Sequence, residues 1–211
     1  MKSNVLLPAI LIVIFALSRI PGLMPLNFSV AYAFAFCAGV YFRGAMKWWL
    51  PLAIIVVTDL SLNFYYQHKG FTVWDLPDLA NLFFNYVAYA VLIFLGSRFK
   101  PKSSLWKLVG GGMLGSILFY IITNTASWFF NPFHNVEYAK TLAGWFLALT
   151  KGIGGYPSTW EFFRNTLLSG ALFTALFAIA EKTVTAAESP ADKTAGAREP
   201  AAEAEPEEAK A

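Results

Sequence analysis

The side chains with the most chemistry to offer are one acid and a set of amides set into otherwise apolar runs. Asp59 and Asn63 stand four residues apart, as do Asn81 and Asn85, so each pair shares a face wherever its segment is helical. Asn27, Asn124 near Ser127, and Asn165 next to Thr166 extend the set. A carboxylate at mid-bilayer costs about 2.5–3.5 kcal/mol on insertion scales. Asp59 therefore calls for a role in ligand binding, in proton coupling or in an ion pair with Arg19 or Arg164. Amides both donate and accept hydrogen bonds, which is the chemistry of non-covalent recognition.

Other chemistries lack their parts. No G-x-x-x-x-G-K-[ST] phosphate loop occurs; Gly110, Gly111 and Gly112 run into Met113, with no lysine to reach a phosphate. His68 and His134 are solitary, without ligand spacing around them. The single cysteine, Cys37, lies in an apolar run and reads as a small packing residue. No nucleophile–base pair is visible. The expectation is a protein without cofactor, metal or catalytic centre, and not an enzyme.

The elements that hold these residues are hydrophobic. Of 211 residues 57% are apolar and 14% charged, against about 25% charged in a soluble domain. A membrane span needs about 20 mostly apolar residues. Six candidates lie near 4–19, 28–43, 48–66, 79–97, 106–130 and 165–182, which makes the expected fold an all-α, polytopic six-helix transmembrane bundle. Met1 to Ser18 has no small-residue cleavage site before Arg19 and reads as a retained first helix. The loop 131–164 contains a further apolar stretch, Tyr138 to Leu149, too short to span and fitting an interfacial or dipping helix. Trp48, Trp49, Trp74, Trp106 and Trp128 fall near span ends, as an aromatic belt does.

Charge is segregated. Residues 1–182 carry 13 Lys and Arg against 6 Asp and Glu, and residues 183–211 carry 3 against 7. The basic excess of the body fits loop charges that orient helices, with no nucleic acid needed. Short loops on one side hold Lys2, Arg43, Lys47, Arg98, Lys100, Lys102, Lys107 and Lys182, which sets both termini in the cytoplasm. The domain division is a transmembrane unit over 1–183, including an outer loop or lid over 131–164, and a disordered acidic Ala/Glu/Pro tail over 184–211.

With this orientation, each of these amides falls in the outer half of the membrane, whereas inner stretches such as Leu50 to Val57 and Ala88 to Leu95 are hydrocarbon. Polar faces in lipid must find partners and so point inward. Two readings stay open: a pocket for a small polar solute, or amides that glue helices together. The candidate binding residues are Asn27, Asp59, Asn63, Asn81, Asn85, Asn124, Lys140, Arg164 and Asn165. Small residues at four-residue steps, Ala31, Ala35 and Gly39, then Gly111 and Gly115, suit close helix packing or docking to a partner.

Several stretches resemble a bacterial family of uncharacterised membrane proteins described as transport proteins. They are Asn27-Phe28-Ser29-Val30, Ala38-Gly39-Val40-Tyr41-Phe42, Pro51, Asp59, and Thr123-Asn124 with Trp128. To these add Lys140-Thr141-Leu142-Ala143-Gly144 and Phe162-Phe163-Arg164-Asn165-Thr166-Leu167-Leu168. Ser169-Gly170 follows where the family tends to have Gly-Asp. That family is similar in layout to the substrate-binding S components of energy-coupling factor transporters. The resemblance implies uptake of a small polar solute across the cytoplasmic (inner) membrane. It also implies a partner module, a transmembrane coupling subunit with ATPases. The alternative is a structural or assembly subunit of a membrane complex with no ligand.

Overall fold

The computed structural model describes residues 3–196, and all regular structure among them is helical. The order is α1 (Ser3–Ser18), α2 (Ala31–Tyr41), α3 (Met46–His68), α4 (Leu76–Gly96), α5 (Leu105–Phe130), α6 (Leu142–Thr150) and α7 (Thr159–Gly196). Four of these, α3, α4, α5 and α7, are long and apolar enough to cross a membrane. Large apolar side chains such as Trp49, Val57, Phe83, Trp106 and Leu172 lie exposed on their outer faces. In water such a surface would drive association; in lipid it is solvated.

Local signals set the boundaries. Asp75 caps α4 by accepting from the Asp78 amide at 3.0 Å, with Pro77 in the first turn, where a missing N–H costs nothing. Ser104 caps α5 through the Lys107 amide at 3.3 Å, and Thr141 caps α6 through the Gly144 amide at 3.1 Å. Asn131 ends α5 in the left-handed conformation, its amide returning to the Ser127 carbonyl at 2.9 Å.

The span expected over 28–43 is an 11-residue helix, α2, about 16 Å long, whose residues from Ala31 to Val40 are all buried. It runs through the middle of the bundle, against α4, α7, α5 and α3, with α1 touching one side. Its all-round apolarity belongs to a helix enclosed by protein. Phe15 of α1 stacks on Phe34 at 4.9 Å, and Phe36 meets Phe99 edge-on at 5.2 Å.

Backbone contact is closest where α2 crosses α4. A Cβ on Gly39 would run into the Ile93 carbonyl, and one on Gly96 into the Phe36 carbonyl. Between α5 and α7, Gly112 faces Thr174 and Gly170 faces Ser116. The small-residue steps predicted on helices 2 and 5 are thus occupied inside the chain: Ala31, Ala35, Gly39, Gly111 and Gly115 are all buried in the bundle. None of them is left as a surface for a partner's helix.

The last helix also differs from expectation. α7 begins at Thr159 and runs to Gly196, so residues 184–196, read as tail, continue the last helix; residues 197–211 lie outside the described residues. The run holds four Ala, the best helix former, and it extends a helix already nucleated by packing. The apolar stretch in the 131–164 loop folds as α6, packed on α5 and α7.

Candidate functional site

The acid and the amides Asn27, Asn81, Asn85 and Asn124 gather at one end of the bundle, where α1, α3 and α5 finish and α2 and α4 begin. Helix periodicity lines them up. Asn81, Asn85 and Tyr89 follow one another by four residues on α4; Leu62 and Tyr66 do so on α3; Phe119, Thr123 and Ser127 do so on α5, with Asn124 beside them. Together with the segment Ser18–Ser29 and Tyr32 of α2, these residues enclose a half-open cavity of about 460 Å³. That lies within the range of about 300–1,000 Å³ typical of small-molecule sites.

Ser18–Ser29 forms a large share of the wall. Asn27 sits there in the left-handed region (φ 56°), a conformation that asparagine tolerates better than most residues. The turn is secured at its far end by Ser29, whose hydroxyl accepts from the Ala31 amide at 3.1 Å. Asn165 of α7 holds it from the side, its amide donating to the Leu26 carbonyl at 2.9 Å.

At the α1 end of the same segment, the Arg19 guanidinium donates to the carboxylate of Asp59 on α3. Asp59 is buried, with the Tyr86 phenol beside it. Of the roles open to Asp59, the ion pair is the one formed, and Arg19 is its partner. Arg19 also lies 5.9 Å from the centre of the Phe15 ring, and its buried Nε has no hydrogen-bond partner. The pair fastens one wall of the cavity, so Asp59 acts on the space through Arg19 and does not line it.

The amides at the wall are free. Among the described residues, the side chains of Asn27, Asn81 and Asn85 make no hydrogen bond to another residue, and Asn124 bonds only the Tyr120 carbonyl of its own helix at 2.9 Å. Interhelical glue would require bonds from one helix to the next, and these amides make none. Aromatic rings form the floor: Phe119 is flanked by Tyr32 at 4.7 Å and Tyr89 at 4.9 Å.

Of the nine candidate residues, four line the cavity: Asn27, Asn81, Asn85 and Asn124. Asp59 and Asn165 stand behind it, each holding the Ser18–Ser29 segment. Asn63 turns toward the α3–α4 loop, donating to the Val73 carbonyl at 3.4 Å. Arg164 is exposed and away from the cavity. Lys140 ends α5: its ammonium bonds the Trp128 and Phe129 carbonyls, where the helix dipole favours a cation. The aromatic and hydroxyl lining, Tyr32, Tyr66, Tyr89 and Thr123, escaped the sequence reading. Its signal was there, since Tyr89 lies four residues after Asn85 on the same face.

The segment read as a lid is bound down beside the cavity instead. Trp128 donates to the Ala139 carbonyl at 2.8 Å, Trp145 to the Thr125 hydroxyl at 2.9 Å, and Tyr120 to the Leu149 carbonyl. The Asn131 side chain closes its own turn, with bonds of 2.9 and 2.8 Å to Asn135. Burial raises the pKa of Tyr138 in this segment, the Glu137 charge adds to it, and a hydrogen bond with Ser127 pulls it back. No residue of 131–164 reaches the cavity wall; the α1–α2 segment lines it.

No group of three or more metal-ligating side chains occurs among the described residues. Residues 1–191 match the model of a family of unknown function, DUF6580. No curated protein and no solved structure matches the chain.

Proposed function

Because the chain belongs to this family of unknown function, DUF6580, its role has to be argued from the site, and we propose that it is the solute-binding subunit of a membrane uptake system. The observation that carries the reading is the cavity with unpartnered amides from separate segments on its wall. Asn81, Asn85 and Asn124 are partly buried and Asn27 is exposed, so their donors and acceptors stand open to water or to a solute in the cavity. Retaining several at one place is hard to explain as packing.

In this reading α1 joins the four long helices in spanning the cytoplasmic (inner) membrane, while α2, too short to span alone, crosses inside the bundle together with its flanking residues, which leaves both termini in the cytoplasm. The cavity then faces outward. The proposal follows the resemblance to S components, which have no ATPase site and move their solute when a coupling subunit with ATPases drives the change of access. The chain would perform no covalent chemistry. Its work is to bind, to exclude water and to change which side the cavity meets. The alternative of a ligand-free assembly subunit has less support, since its small-residue faces are buried within the chain.

Gentle extraction followed by native mass spectrometry, with thermal-shift screening of metabolites, tests the proposal. The expected result is a retained or stabilising solute whose binding weakens in Asn85→Ala and Asn124→Ala. A solute that binds both variants as tightly as the parent, or no solute from either measurement, would overturn it.

A further inference from the structure

The charges around the cavity narrow the ligand. Arg19 is the one basic residue of the lining, and its guanidinium already faces the Asp59 carboxylate; the lining has no Asp or Glu of its own. The two other cations that could have met an anion are elsewhere, Lys140 on the α5 carbonyls and Arg164 exposed away from the cavity. A charged group entering this half-open space, beside Phe28, Tyr32, Tyr89 and Phe119, would give up part of its hydration and find no unopposed charge to replace it. What the wall does offer is symmetric. Each free amide of Asn27, Asn81 and Asn85 presents a carbonyl acceptor and an NH₂ donor.

Resting on the binding reading above, we infer that the solute carries no net charge and bears hydrogen-bond donors and acceptors together, as an uncharged amide or polyhydroxy compound does. The Arg19–Asp59 pair keeps the site neutral. It sets the specificity against carboxylates, phosphates and organic cations, in addition to its part in holding the wall.

The test uses the full chain and matched probes: nicotinamide against nicotinate, and glucose against gluconate and glucosamine, together with any solute retained on extraction. Stabilisation by the uncharged member of a set, unchanged from low to near-molar salt, is the expected result. A charged member binding equally well or better overturns the inference and leaves a binding site standing. No retained solute and no shift from any probe removes the binding reading and the inference with it. Two variants report on the charge balance directly. Asp59→Asn leaves Arg19 unopposed and should favour the carboxylate probes by about tenfold relative to their neutral partners. Asn85→Asp, which leaves the ion pair intact, should favour glucosamine by about tenfold over glucose. Unaltered preferences in both variants refute the neutral-site argument.

Discussion

Arg19, one residue past the end of α1, is paired with Asp59 in the third turn from the end of α3, across forty positions of sequence. The pair ties the α1–α2 segment to a helix that otherwise touches only α2 and α4 closely. A cavity wall that would be loose is thereby held. Four outcomes follow from this and from the neighbouring contacts.

Breaking the pair from one side leaves a charge without its partner. Asp59→Ala should destabilise the protein by about 3 kcal/mol, the lower end for buried pairs because Arg19 is partly exposed. Replacing both members by apolar residues, Arg19→Met with Asp59→Leu, should recover most of the loss. Thermal unfolding in detergent measures both. Equal destabilisation by the single and double variants would show that the pair is not the origin.

Removing amides that hold nothing together should leave stability alone. Asn81→Ala and Asn85→Ala are expected to shift stability by less than about 0.5 kcal/mol. If these side chains served as interhelical glue, the loss would average about 0.6 kcal/mol and reach about 1.7. A loss above about 1 kcal/mol in either variant, read by the same unfolding measurement without any ligand, would identify glue.

Gly39→Ala should be among the most damaging small changes in the bundle. Its Cβ would meet the Ile93 carbonyl, which is backbone and cannot rotate away, so α2 and α4 must separate at a cost of about 1–3 kcal/mol. Gly110→Ala is the control: nothing lies within 4 Å of its Cβ position, and helix propensity favours alanine by about 1 kcal/mol. Opposite shifts in melting temperature are expected.

Lys140→Met should loosen the α5–α6 connection without touching ligand affinity. The exposed ammonium bonds two carbonyls at the end of α5, and losing it should cost about 1 kcal/mol. Hydrogen exchange over 131–151 should accelerate. Weakened solute binding in this variant would return Lys140 to the site.

Much of the site was legible because helical periodicity is local. Asn81 and Asn85 share a face for the same reason whether or not the rest of the chain is known, and with opposed helix directions the amides had to meet at one end. Asn27 and Asn124 joined them there. Asn63, Lys140 and Arg164 did not, although they lie in the same half of the chain's polar pattern. A fraction of a turn about a helix axis, or a loop folding back on a helix end, decides between lining a cavity and capping a carbonyl. Residue type does not contain that information. The same holds for α2: hydropathy measures how apolar a segment is and cannot tell lipid from protein as its surroundings.

Composition and spacing alone determined that this chain is helical, that its long helices suit a bilayer, and that the amides of α4 and α5 lie toward one end. Each of these is a property of a segment or of its neighbours in sequence. Tertiary structure decided that Asp59 faces Arg19, that the α1–α2 segment and not 131–164 lines the cavity, and that the glycine faces close on one another inside the bundle. These depend on contacts between residues distant in sequence, whose free energies arise only when the helices are brought together.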